Sequence, residues 1–299
     1  MRTKVTIGVC VRNCEDKIKQ IIDRIVFQDF PHENIEVIFV DDGSEDNTLF
    51  QISKYAPKID IKCTVYHHEW KGLGFSRNVV SKNAKGDYIV WVDDGTSLFK
   101  DYIKRLVNLM DVAPEIGIAR GVVGLYSGSN PVSTLENMNE LVFSHKYAGK
   151  STIKLPGTSG SIYRVDATKY VGGFDENIQG ACEDVDVAYR ILASGWLIYI
   201  TRAKFFIDYN KHIIDVLNKG YWYGYGLHLF LHKHSELSDF SYKINPLAGL
   251  LEGTLISFVA YKITHKKIAF LLPIFFFIKR IGWSMGFVKA HFDSYGHIE

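Results

Sequence analysis

Acidic residues recur as adjacent pairs along this chain, at Asp41-Asp42, Asp93-Asp94 and Glu183-Asp184. Asp41-Asp42-Gly43-Ser44 ends an apolar run. A carboxylate there accepts a hydrogen bond from a base N–H or a ribose hydroxyl, and Gly43 permits the turn. The same residues also suit a plain turn with Ser44 or Asp46 capping the next helix. Asp93-Asp94-Gly95 follows a second apolar run. Two adjacent carboxylates need a cation or hydrogen-bond donors to offset their repulsion. Hard oxygen ligands suit Mg²⁺ or Mn²⁺, which share their coordination with substrate phosphates. Glu183-Asp184 opens a helical pattern, where the helix dipole favours carboxylates. The pair equally suits a general base that deprotonates an incoming hydroxyl. Gly72-Leu73-Gly74-Phe75-Ser76-Arg77-Asn78 is a glycine-rich turn that opens a helix. It is neither a P-loop nor a dinucleotide fingerprint. Arg77 there faces a base or phosphate, or is a surface arginine.

The elements that position these residues follow from periodicity. Residues 5–11, 35–40, 62–67 and 88–92 read as strands, and 15–27, 45–55 and 74–84 as helices. Such alternation predicts an open, mostly parallel α/β sheet flanked by helices. Ligands of such sheets bind beyond the carboxyl ends of the strands, and both double aspartates sit there. Further on, 116–123 reads as a strand, 130–147 as helix plus loop, 157–163 as a strand entered through a glycine-rich turn, and 183–194 as a helix.

Composition narrows the function. The chain has 299 residues, 47% apolar and 23% charged, which suits one large folded domain or one with an appendage. A net charge of +2 gives no argument for nucleic acid. Cys10, Cys14, Cys63 and Cys182 form no CxxC pair and read as buried small hydrophobes in a reducing compartment. The N-terminal residues run straight into a strand without a signal-peptide pattern, which places the catalytic part on the cytoplasmic side.

Taken in order, these motifs resemble the large family 2 of inverting glycosyltransferases with the GT-A fold, over about residues 4–210. The DDGS turn, the segment from Gly72 to Asp94, Val171-Gly172-Gly173-Phe174-Asp175-Glu176 and the Glu183-Asp184 pair carry the resemblance. The resemblance implies a nucleotide-diphosphate sugar as donor and Mg²⁺ or Mn²⁺ as cofactor. It places the nucleotide against Val9, Arg12, Asp41, Arg77 and Asp93, and the cation on Asp94 and Asp93. Asp184, seconded by Glu183, becomes the catalytic base, and Thr158, Ser159 and Trp222 become acceptor contacts. Two features depart from the family pattern. Gly95 stands at the third position of the usual D-x-D, and Cys10-Val11-Arg12-Asn13 replaces a Pro-Thr-Tyr-Asn type of turn. No QxxRW follows the base, which argues against a processive polysaccharide synthase. The rival readings are a nucleotidyltransferase and a nucleotide-sugar-binding protein without catalysis.

From Lys219 the composition turns aromatic and apolar, so a boundary near Asn218 separates a catalytic domain, 1–218, from a helical region, 219–299. The run 268–278 is too short to span a bilayer core, which needs ~20 residues. Extending it to Val288 draws Lys279 and Arg280 inside at a high cost. The expectation is a C-terminal helical pair lying in the cytoplasmic face of the membrane, its lysines beside anionic headgroups. It would serve a polyprenyl-linked or other glycan acceptor.

Overall fold

The computed structural model describes residues 3–125, 130–178, 181–209 and 212–295. The chain forms two compact units. The first comprises Met1–Gly124, Tyr147–Asn177 and Asp184–Ile207. The second comprises Leu125–Lys146, Ile178–Glu183 and Asp208–Glu299. A boundary at Asn218 falls inside a helix rather than between elements.

In chain order the elements are β1 (Val5–Val11), α1 (Ile18–Val26), β2 (Ile35–Asp42), α2 (Thr48–Tyr55), β3 (Lys62–His68), α3 (Leu73–Asn83), β4 (Tyr88–Trp91), β5 (Thr96–Leu98), α4 (Tyr102–Val112) and β6 (Ile116–Val123). There follow α5 (Pro131–Tyr147), β7 (Lys150–Ser151), β8 (Ser161–Arg164), α6 (Val165–Tyr170), α7 (Glu183–Ala193), β9 (Leu197–Ile207), α8 (Ile213–Lys233), α9 (Pro246–Thr264) and α10 (Leu272–Phe292).

In the first unit the strands hydrogen-bond in the order β3-β2-β1-β4-β8-β6-β9-β5, with β7 on β9. Strands β3, β2, β1 and β4 run parallel. β8 enters antiparallel between β4 and β6, and β9 runs parallel to β6. β1 and β2 are buried on both faces, which is why they read as unbroken apolar runs. One face packs Ile7 and Val9 against Ile18, Ile21, Ile22 and Ile25 of α1 and Leu106 of α4. The other packs Ile38, Val80, Ile89 and Trp91 against Val187 and Ile191 of α7. Gly8 makes room for this layer, since a Cβ there would meet the Trp91 ring at 2.7 Å.

Several bounds differ from the sequence expectation. α1 and α2 start three residues later than periodicity suggests, because the residues before them bind one another. The Glu45 amide donates to Asn13 Oδ1 (2.8 Å) and the Asn47 amide to Glu15 Oε2 (2.8 Å). Residues 131–147 are one helix without a loop, started by Pro131 and by the Asn130 side chain, which accepts from the Ser133 amide (3.0 Å). The sequence expectation omits α4, although Tyr102, Ile103, Leu106, Val107 and Met110 recur at helical spacing and are buried, and it omits β9, whose apolar pattern is broken. In β9, Thr201, Arg202 and Lys204 interrupt the apolar pattern.

The second unit is helical. α8, α9 and α10 meet through glycines: a Cβ on Gly220 would lie 2.8 Å from the Lys279 carbonyl, and one on Gly253 2.6 Å from that of Leu272. Leu135 and Met138 of α5 complete a core with Val216, Ala260, Leu272, Phe275 and Phe276. The expectation that Lys279 and Arg280 end the apolar run is corrected, because α10 continues through both. Each has an acidic partner. Lys279 Nζ lies 3.8 Å from Glu136 of α5, and Arg280 pairs with Glu252 of α9. The outward face of α9 is apolar. Leu247, Leu251, Leu255 and Phe258 are 66, 68, 72 and 62% exposed. By length and composition, α9 and the segment 267–292 are each long and apolar enough to cross a membrane.

Candidate active site

All the expected donor-side residues lie in the first unit. Asp41, the penultimate residue of β2, is fully buried. Its Oδ2 meets His67 Nδ1 of β3 (2.7 Å), and its Oδ1 accepts from the Ser44 hydroxyl. Asp42 accepts from the amides of Lys71 (2.8 Å) and Gly72 (3.1 Å), which ties β2 to the turn that opens α3. Arg12, just past β1, pairs with Glu45 (3.1 Å) and lies over the Trp70 ring at 5.6 Å. The Val9 side chain lies in the core, below this rim.

The remaining carboxylates are joined by one arginine. Arg77 is 4% exposed, over the packed rings of Trp91 and Phe174. Its Nη2 donates to Thr158 Oγ1 (2.7 Å) and lies 3.7 Å from Asp93 Oδ1. The Thr158 amide donates to Asp184 Oδ2 (3.3 Å). The turn from Gly157 to Gly160 thus bridges α3 and α7. A Cβ on Gly157 would crowd Asp184 Oδ2 at 3.2 Å. Ser159 bonds Thr96 (2.7 Å), whose hydroxyl also receives the Asp93 amide (3.1 Å). Burial pushes the Asp93 carboxyl above its ordinary range; the Arg77 guanidinium opposes this, while Asp94 and Asp184 add to it.

Asp94 is half exposed and faces Lys17, whose ammonium lies 2.5 Å from Oδ2. Among the described residues no cluster of three His, Cys, Asp or Glu side chains could hold an ion on its own. Gly95 supplies no ligand. Two adjacent hard carboxylates do fit a Mg²⁺ or Mn²⁺ that completes its shell with substrate phosphates and water. Nearby, burial and the Asp94 charge push the Cys14 thiol up to about 12.

Periodicity gives no sign of several residues that hold this arrangement. Asn78 clasps the Gly173-Phe174 backbone, donating to the Phe174 carbonyl (2.8 Å) and accepting from its amide (2.8 Å). Arg190 of α7 pairs with buried Asp186 (2.6 Å) and donates to the carbonyls of Val171 (2.5 Å) and Gly173 (2.7 Å). The Val171–Glu176 stretch is therefore the joint between α3 and α7. Arg120, buried on β6, donates to the Ser159 carbonyl (3.0 Å).

Glu183 opens α7 and is buried. The residue before it, Cys182, takes φ +78, a left-handed conformation uncommon outside glycine. Trp222 is half exposed on α8 of the second unit. Its neighbours Tyr221 and Tyr225 stack on each other, and Tyr223 stacks on Trp283 of α10. His212 caps α8, its amide donating to Asp215 (3.3 Å).

Comparison with known proteins places this geometry. Residues 6–171 match the model of the family described as Glycosyl transferase family 2. Poly(ribitol-phosphate) beta-N-acetylglucosaminyltransferase TarS of Staphylococcus aureus is 32% identical over 108 residues, 36% of this chain and 19% of that protein. The pre-mycofactocin glycosyltransferase of Mycobacterium tuberculosis is 24% identical over 225 residues, 74% of this chain and 46% of that protein. The matches thus span less than half the length of these relatives. In fold, the chain superposes on the mannosyltransferase PcManGT of Pyrobaculum calidifontis, solved with GDP-Man and Mn²⁺. The TM-score is 0.67 at 20% identity, covering 98% of this chain and 88% of that one. Residues 1–349 of S. aureus TarS, solved with UDP-GlcNAc, give a TM-score of 0.56 at 17% identity, with 97% and 92% covered. The sheet and its flanking helices are thus of the GT-A type, and the chain, matched over more than half its length, belongs to glycosyl transferase family 2.

Proposed function

We propose that the first unit moves a glycosyl group from a nucleotide-diphosphate sugar to an acceptor hydroxyl in one inverting displacement, with Asp184 as general base. One observation carries this reading. Asp184, Thr158, Arg77 and Asp93 form a continuous chain of polar contacts, so the base and the donor-side carboxylates share one scaffold. The acceptor oxygen attacks the anomeric carbon and forms the new C–O bond. Its proton passes to an Asp184 oxygen. The bond to the diphosphate breaks and the electron pair leaves with the phosphate oxygen. Buried Arg77 is placed to hold the nucleotide side of the donor, and Asp41, braced by His67 and Ser44, is placed to recognise the base. A Mg²⁺ or Mn²⁺ held by Asp94 and Asp93 would supply neutralising charge for the departing diphosphate. UDP-GlcNAc and GDP-Man bound in the solved neighbours, and a relative that is a poly(ribitol-phosphate) N-acetylglucosaminyltransferase, support a sugar nucleotide and a polyol or glycan hydroxyl.

The second unit is the proposed membrane contact, lying in the plane of the cytoplasmic surface. In α9 the glycines Gly249 and Gly253 face inward while Leu247, Leu251, Leu255 and Phe258 face outward. A transmembrane hairpin is disfavoured by what covers its other face. α10 packs on α8, which carries Asp215, Lys219 and Lys233, and Lys279 reaches Glu136 of α5. Those polar helices would have to enter the bilayer too. A surface-lying unit keeps a lipid-linked acceptor within the range of the same chain. A panel of UDP-, GDP- and dTDP-sugars with Mg²⁺ or Mn²⁺, read by nucleoside-diphosphate release, tests the activity. The anomeric configuration of the product, read by NMR, tests inversion, and a retained configuration overturns the mechanism.

A further inference from the structure

Lys17 stands where helix electrostatics disfavours it. It occupies the N-cap position of α1, whose first turn holds no acidic residue, so a cation there opposes the helix dipole. The backbone fixes it firmly: its amide donates to the Cys14 carbonyl (2.9 Å), its own carbonyl accepts from Ile21 (2.9 Å), and Cys14 is tied to Thr48 (2.8 Å). Its ammonium lies 2.5 Å from Asp94. A local rule broken at a rim of carboxylates points to function.

Each carboxylate of the aspartate pair thus has a cation beside it. Arg77 faces Asp93, and Lys17 faces Asp94. The two cations differ in freedom. Arg77 is buried over two aromatic rings and bonded to Thr158, so it stays in place. Lys17 is 44% exposed on a flexible stem, and an exposed pair of this kind separates at little cost.

We propose that Lys17 is the resting counterion of the aspartate pair and the group a divalent cation displaces on entry, so that cation and donor diphosphate bind cooperatively. The proposal rests on the reading of Asp93 and Asp94 as the cation site. Without nucleotide, an arriving Mn²⁺ competes with the ammonium for Asp94. A diphosphate brings negative charge of its own, which accepts the released ammonium and completes the coordination of the ion. Lys17 thus sets metal affinity rather than the chemical step.

The test is Mn²⁺ binding by calorimetry, with and without UDP, on the full chain and its Lys17→Met, Lys17→Gln and Asp94→Asn variants. Circular dichroism confirms folding; removing a cation from a helix N-terminus does not weaken the helix. Wild type should bind Mn²⁺ weakly alone and more tightly with UDP. Both Lys17 variants should bind Mn²⁺ alone about three- to tenfold more tightly, with a smaller enhancement by UDP. Unchanged or weaker Mn²⁺ binding by both Lys17 variants overturns the role of Lys17. Wild-type Mn²⁺ affinity in Asp94→Asn overturns the underlying cation site instead.

Discussion

Asp184, the proposed base, lies on the first turn of α7 with one oxygen held by the Thr158 amide. Replacing it with Asn keeps its shape and removes its basicity. Asp184→Asn should therefore retain UDP-sugar affinity and lose turnover by ~10²–10⁴-fold. Near-normal transfer by this variant would falsify the assignment. Cys14 offers a different reading of the same rim. Its folded thiol is pushed up to about 12 from an ordinary 9.0. Between these values the unfolded chain has released a proton that the folded chain keeps, so stability falls as pH rises. Urea unfolding at about pH 8 and pH 10.5 should show wild type losing about 2 kcal/mol more than Cys14→Ala across that interval. Parallel losses in the two proteins would show that this thiol does not contribute.

Among elements, the decisive joint is the Val171–Glu176 stretch, clasped by Asn78 from α3 and Arg190 from α7. Asn78→Ala leaves the buried Phe174 amide and carbonyl without these partners. A loss of about 1–3 kcal/mol in chemical denaturation is expected, together with a fall in kcat. Full activity at normal stability would mean that the joint does not set the active geometry. This scale also shows what the sequence makes legible. Asp41, Asp93 and Asp94 can be read because they close apolar runs, and Glu183-Asp184 because it opens one. Arg120 cannot, since it interrupts the run Ile116–Val123 and its partner, the Ser159 carbonyl, lies 39 positions away. Lys17 and Asp94 are 77 positions apart, and Asn78 and Phe174 are 96. Periodicity reports a residue's own element, whereas these roles are set by the element across from it.

At the scale of the whole molecule, the exposed row of Leu251, Leu255 and Phe258 is the proposed membrane contact. The full chain should float with vesicles containing anionic lipid. Leu251→Ser, Leu255→Ser and Phe258→Ser combined should leave it at the bottom of the gradient, still folded and still releasing nucleoside diphosphate from the donor when a soluble acceptor is supplied. Equal flotation of both proteins would remove the membrane contact from α9. Truncation is a poorer test than these substitutions, because Leu135 and Met138 of α5 share a core with the C-terminal helices and would be left uncovered by their removal.

That shared core also sets a schedule for synthesis. The apolar side of α5 leaves the ribosome long before the residues that cover it, since Met138 precedes the end of α10 by roughly 150 positions. At ~5–20 residues per second, that side waits on the order of 10–30 s for Phe275 and Phe276. The nascent chain therefore carries an unfinished helix through the completion of β7, β8 and β9. A holdase that binds short apolar segments has its window there, and a ribosome paused after β9 should present α5 to protease while the sheet is already resistant.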